Sequence, residues 1–260
     1  KDGMDPYSGI ERSIMRRYCK RVVVRDPETR EALARHGVPA IYAGNPMMDC
    51  FSLPAQLPDF LKSEYVVGVL PGSRAEAYGN IEFLLRLARD FVAQFEKPVK
   101  FAFALANTLD EGRVMRIAEE VLGMKMSVPP LSCPLEGGSG VIMGKGLFGE
   151  ILTASTVVIG LSGTGNEQAA GMGKPIITFP GEGPQVTERF VRKQKKLLQG
   201  ALSVVRRDPE AIIGELRALL MDPLRREAMG REGRRLMEGR GSCERIAATI
   251  VEVMAEVAAS

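Results

Sequence analysis

Ser162-Gly163-Thr164-Gly165-Asn166-Glu167-Gln168 follows directly on the apolar run from Thr156 to Leu161. A buried strand that ends in Ser, Gly and Thr and turns at once into a helix leaves backbone N–H groups pointing outward, and the helix N-terminus adds partial positive charge. Such a turn suits a phosphate. A second apolar run, Tyr65 to Leu70, ends in Pro71-Gly72-Ser73-Arg74. There Gly72 permits close backbone approach, Ser73 can donate a hydrogen bond, and Arg74 presents a fork of donors to phosphate oxygens. Two such turns at the carboxyl ends of two strands of one sheet are what a nucleotide crevice requires.

Three further residues belong to this set of candidates. Glu167 and Gln168 fall on the first turn of the helix after Ser162. A side chain there can reach ribose hydroxyls, or it can be an acid placed for the helix dipole. Gly181-Glu182-Gly183-Pro184-Gln185 follows a third apolar run, and Gln185 offers both donor and acceptor groups. That stretch reads equally as a ligand-facing loop or as a plain flexible one.

Other chemistries fit poorly. Gly137-Gly138-Ser139-Gly140 through Gly144-Lys145-Gly146 invites a P-loop reading and fails it, because Ser139 occupies the place of the first glycine and Gly146 follows the lysine. Cys19, Cys50, Cys133 and Cys243 are scattered with no C-x-x-C pair, which disfavours a metal site or a disulfide framework and suits a reducing cytosol. His36 is the sole histidine. A net charge of +3 is too small to mark a nucleic-acid binder. The basic clusters Arg16-Arg17 with Lys20-Arg21, and Arg192-Lys193 with Lys195-Lys196, read first as solvated helix faces, and as a peripheral contact with an anionic membrane second. No apolar run approaches the roughly 20 residues of a membrane span.

The elements that must position these loops are legible in the pattern. Strands are expected over residues 21–25, 40–43, 65–70, 99–105, 140–143, 156–161, 175–179 and 201–205, with helices between most of them and a helical final third. Runs of Val and Ile without alternation indicate strands buried on both faces, and their alternation with helices implies a doubly wound, parallel α/β sheet. The prolines of Ser52-Leu-Pro-Ala-Gln-Leu-Pro-Asp59 mark a connection. The expected division is residues 1–54, then a nucleotide-binding domain over 55–241, then a terminal helix over 242–260 that returns to the first part. Ile246, Ile250, Val251, Met254 and Val257 give that helix an apolar stripe in need of a partner. The segment starting at Lys1 reads as the middle of a longer protein.

These motifs resemble the carboxyl-terminal half of GT-B glycosyltransferases, above all lipid-A-disaccharide synthase and its related sub-group. The resemblance runs from Tyr42-Ala-Gly-Asn-Pro-Met-Met-Asp49 through Leu70-Pro-Gly-Ser-Arg74, Ser162-Gly-Thr164 and Gly173-Lys-Pro175. It continues in Pro180 to Gln185 and in Phe190 to Leu198, which carries F-x-x-x-Q-x-x-L-L. It implies two Rossmann-like domains, a UDP-linked sugar donor held by the carboxyl-terminal one, an acceptor of unknown identity with lipids among the candidates, a cytoplasmic setting with peripheral contact to the inner face of the membrane as the variant, and no metal or other cofactor. The catalytic base would come from the amino-terminal domain, of which residues 1–50 hold only the end. Counted back from Pro175, the family's ribose-binding glutamate falls on Gln168, and Glu167 sits one helical step of about 100° away. The Asn-containing loop of lipid-A-disaccharide synthase has no counterpart around Leu202–Asp208. Sugar-nucleotide 2-epimerases share fold and ligand but need acids in the cleft, and a non-catalytic nucleotide-sugar binder is the third reading.

Overall fold

A computed structural model describes residues 7–127, 130–181 and 186–259. Contacts divide the chain into two units, one formed by the chain up to Cys50 together with Met237 onward, the other by Phe51–Leu236.

The first unit opens with α1 (Gly9–Tyr18), whose start is fixed by reciprocal bonds between Ser8 and Glu11, and which buries none of its residues. β1 (Val22–Val24) leads to α2 (Pro27–Ala34), where Asp26 caps by accepting from Thr29 N at 2.7 Å and Pro27 occupies the first turn. β2 (Ala40–Tyr42) then pairs with β1 in parallel, Val22 opposite Ala40. Val24, Leu33 and Val38 form the small core between sheet and helix, with Met15 and Tyr42 packed on it.

The second unit runs β3 (Tyr65–Leu70), α3 (Ala77–Val92), β4 (Val99–Leu105), α4 (Glu111–Leu122), β5 (Leu131–Pro134), β6 (Gly140–Lys145), α5 (Phe148–Ala154) and β7 (Val157–Gly160). It continues through α6 (Gly163–Gly171), β8 (Ile176–Thr178), α7 (Glu188–Leu198), β9 (Leu202–Val204), α8 (Pro209–Met221) and α9 (Pro223–Met237), the last residue of α9 falling to the first unit. The strands make one seven-stranded sheet in the order β5-β6-β4-β3-β7-β8-β9. Every neighbouring pair is parallel except β5 with β6. The chain therefore enters at β3, builds outward to one side, then returns to lay β7 against the other edge of β3. All six residues of β3 are buried, which is why Val-Val-Gly-Val shows no alternation. On one face α3 buries Ile81, Leu84, Leu85 and Phe91, and Phe91 stacks on Phe95 and meets Phe101 edge-on.

The mostly parallel α/β sheet is the expected fold, with additions. The antiparallel edge strand β5 lies where no element was expected, and α1 carries the Arg16-Arg17 pair on the exposed helix face that the basic cluster suggested. The seven strands exceed the six candidates read within this unit.

The chain rejoins the first unit with α10 (Ser242–Ala258). Its anchor is its N-terminus. Asp49 accepts from Gly241 N at 2.7 Å and Cys243 N at 2.9 Å, and Arg245 Nε donates to Ala43 O at 2.9 Å. The bonds from Cys243 and Gly241 hold the Asp49 carboxyl below its ordinary range. The apolar stripe does not serve as the anchor: Ile250, Val251, Met254 and Val257 are all exposed. The paired N–H groups of the helix start, bound by one carboxylate, do what the stripe was expected to do. Among the described residues no helix is long and apolar enough to cross a membrane.

Candidate nucleotide site

β3 and β7 are neighbours in register, Leu70 opposite Gly160. Their carboxyl ends therefore release two loops side by side, at the point where the strand order reverses. In doubly wound sheets that reversal opens a crevice, since the loops on its two sides lead away to opposite faces.

The loop after β7 is built from within. Ser162 caps α6 by accepting from Gly165 N at 3.2 Å, leaving the N–H groups at the very start of the helix without intrahelical partners. Behind it lies a buried amide network. Asn166 Nδ2 donates to Gly160 O at 3.2 Å and to Gln194 Oε1 at 2.7 Å, and Gln194 Nε2 donates to Gly163 O at 2.9 Å. Thr178 from β8 donates a fourth bond into the cluster, to Gly160 O at 2.7 Å. Gly160 is obligatory here, because a Cβ on it would stand 1.8 Å from Asn166 Oδ1.

The loop after β3 is braced from outside. Asn80 Nδ2 donates to Pro71 O at 3.0 Å, and Thr108 Oγ1 donates to Ser73 O at 2.6 Å. Gly72 takes φ +104°, a backbone conformation that side chains rarely adopt, and a Cβ on it would lie 3.5 Å from Leu161 O of the facing loop. Arg74 is exposed, and its side chain makes no hydrogen bond or ion pair with the described residues.

Gly72, Ser73, Arg74, Ser162, Gly163 and Thr164 all line one cavity of about 330 Å³, together with Glu76, Asn80 and Phe190. A second cavity of about 280 Å³ shares Gly72, Ser73 and Ser162 and extends past Leu105–Asn107 to Gly146 and Phe148. Six of the nine expected site residues thus meet in one place. Glu167 and Gln168 do not line either cavity: they are 7% and 8% exposed, further along α6 than the residues at its mouth. Gln185, with Glu182, lies outside the described residues.

Sequence reasoning passed over Glu76, Asn166 and Gln194. Gln194 carried a signal in F-x-x-x-Q, but its partner Asn166 is 28 positions away. Lys174 of the Gly-Lys-Pro motif turns out to be structural. Its ammonium donates to Thr153 O and Ser155 O, each at 2.9 Å, at the end of α5. Burial, with Arg234 nearby, lowers its pKa.

No protein-family model and no curated protein sequence matches the chain. Solved structures do. A structure from Listeria monocytogenes described as a putative UDP-N-acetylglucosamine 2-epimerase superposes with TM-score 0.62 at 19% identity, over 89% of this chain and 59% of its own. The complex of S. aureus MnaA with UDP gives 0.61 at 16% identity, over 89% and 59%. The Neisseria meningitidis UDP-GlcNAc 2-epimerase bound to UDP-GlcNAc gives 0.56 at 15%, over 87% and 60%. The chain thus spans about three-fifths of the length of these structures, and what it shares with them is the doubly wound Rossmann-like fold of the GT-B type.

Proposed function

We propose that the second unit holds a uridine-diphosphate sugar and that the protein transfers the sugar to an acceptor. The observation that carries this reading is the cavity between the β3 and β7 loops. It joins an unpaired arginine to a helix N-terminus at a strand-order reversal. The diphosphate would sit over the shared residues Gly72, Ser73 and Ser162. The nucleoside would enter the adjoining cavity beside Phe148, an aromatic wall suited to a planar base. As the bond from the sugar to the diphosphate breaks, negative charge grows on the leaving phosphate. Arg74 from one side and the start of α6 from the other would stabilise it, and the α6 amides are fixed in advance by Gln194 and Asn166. The motif resemblance favours a transferase related to lipid-A-disaccharide synthase, with the catalytic base supplied by the amino-terminal domain and an acceptor of unknown identity, lipids among the candidates.

A second reading, 2-epimerisation of the sugar, is favoured by the epimerases among the solved structures above. Calorimetry with UDP tests the shared part, and wild-type protein that binds no UDP overturns it. Product analysis of the full-length protein with UDP-N-acetylglucosamine and lipid acceptors separates the two. A new glycoside with released UDP supports transfer; a C2 epimer supports the second reading.

A further inference from the structure

Glu76 stands in the wall of the phosphate cavity, which Gly163 and Thr164 also line, and its Oε1 is buried without a hydrogen-bond partner. A buried carboxylate oxygen left unsatisfied is costly, so its place calls for an explanation. Two ordinary ones fail. Glu76 occupies the cap position of α3, yet its side chain makes no capping bond to that helix. Arg74, two positions away in the same wall, forms no ion pair with it, nor does any other described cation.

We propose that Glu76 is a ligand contact: its carboxylate accepts a hydrogen bond from a hydroxyl of the group attached to the diphosphate. This inference rests on the nucleotide-sugar reading above and sharpens it. A carboxylate repels phosphate oxygens, so the ligand atom that meets it must be a donor. On the far side of a diphosphate from the nucleoside, a sugar offers donors, and bare UDP offers none. Glu76 belongs only to the cavity that carries Arg74, Val186 and Phe190, and not to the one that runs past Phe148. That separation puts it at the sugar end. Among the described residues no group of three His, Cys, Asp or Glu stands together as a metal site, so a hydroxyl fits the lone acid better than a cation does. Glu76 would then set the ligand class, admitting a hydroxylated substituent and disfavouring the bare diphosphate.

The test is calorimetry of the wild type, Glu76→Gln and Glu76→Ala with UDP, UDP-N-acetylglucosamine and UDP-glucose, with thermal unfolding of each variant. Glu76→Gln keeps the volume and preserves the fold. Both variants should bind at least one UDP-sugar roughly ten- to a hundred-fold more weakly and bind UDP unchanged or a few-fold more tightly. Equal weakening for UDP and UDP-sugars overturns the inference, because Glu76 would then touch the nucleoside or merely hold the loop. No change for any ligand overturns it as well, while leaving the nucleotide reading intact. A loss of UDP binding seen only with Mg²⁺ present assigns Glu76 to a cation instead and also overturns it. Wild-type protein that binds none of the three overturns both readings.

Discussion

The loops after β3 and β7 face the same cavity and are made in opposite ways. The β7 loop carries no charged residue at its mouth, and its backbone is held by Asn166, Gln194 and Thr178, all buried. The β3 loop exposes Ser73 and Arg74, includes Glu76, and is held by Asn80 from its own helix and by Thr108 from the β4 side. One loop supplies a fixed dipole, the other side chains able to move onto a ligand. A preorganised dipole costs nothing to reorient when charge develops, whereas an exposed arginine must give up rotamer freedom to bind. The difference teaches that stability and affinity should come apart between the two loops.

Gly160→Ala should do most damage. The new methyl collides with Asn166 Oδ1 in a packed interior, so unfolding should cost about 3 kcal/mol less and UDP binding should vanish with the loop geometry. Chemical denaturation measures the first and calorimetry the second. An unperturbed melting curve would break the idea that the β7 loop is held rigidly. Arg74→Ala comes next and should reverse the pattern: affinity for UDP falls roughly ten- to a hundred-fold while the melting temperature stays put. Unchanged affinity would remove the arginine from the site. Gln194→Ala strands Asn166 Nδ2 and Gly163 O, and should lower stability by about 1–2 kcal/mol with a smaller loss of affinity. Thr108→Val removes only the brace on Ser73 O and should cost about 0.5–1.5 kcal/mol, felt more in UDP affinity than in melting.

How much of this the sequence showed depended on whether a signal was local. The apolar runs at Tyr65–Leu70 and Val157–Gly160, and the turns that follow them, are contiguous, and from them the crevice could be laid out residue by residue. β5 escaped because Leu-Ser-Cys-Pro is short and ends in proline, which an edge strand tolerates and a central one does not. Only the basic end of α1 was legible, because the helix buries nothing and Ile10, Ile14 and Tyr18 mark no core-facing side. Glu76 looked like any acid near a helix start, and what sets it apart, the missing capping bond and the buried, unpartnered Oε1 in the cavity wall, is visible only in the structure. Glu167 and Gln168 show the converse: position near the start of α6 says nothing of exposure, because that helix is buried over most of its length.

The clasp of Asp49 on the start of α10 also bears on the order in which the protein can be completed during synthesis. The residues that receive α10, Ala43 and Asp49, leave the ribosome before all of Phe51–Leu236, and Gly241, Cys243 and Arg245 leave after it. At about 5–20 residues per second that interval is on the order of 10–40 s, long enough for the second unit to fold first. Through that time the Asp49 carboxylate waits in water, and the small cluster of Val24, Leu33 and Val38 holds the early part of the first unit without its last helix. The first unit is begun before the second and closed after it, so a nascent chain stalled before Gly241 would carry the seven-stranded sheet with the first unit still open.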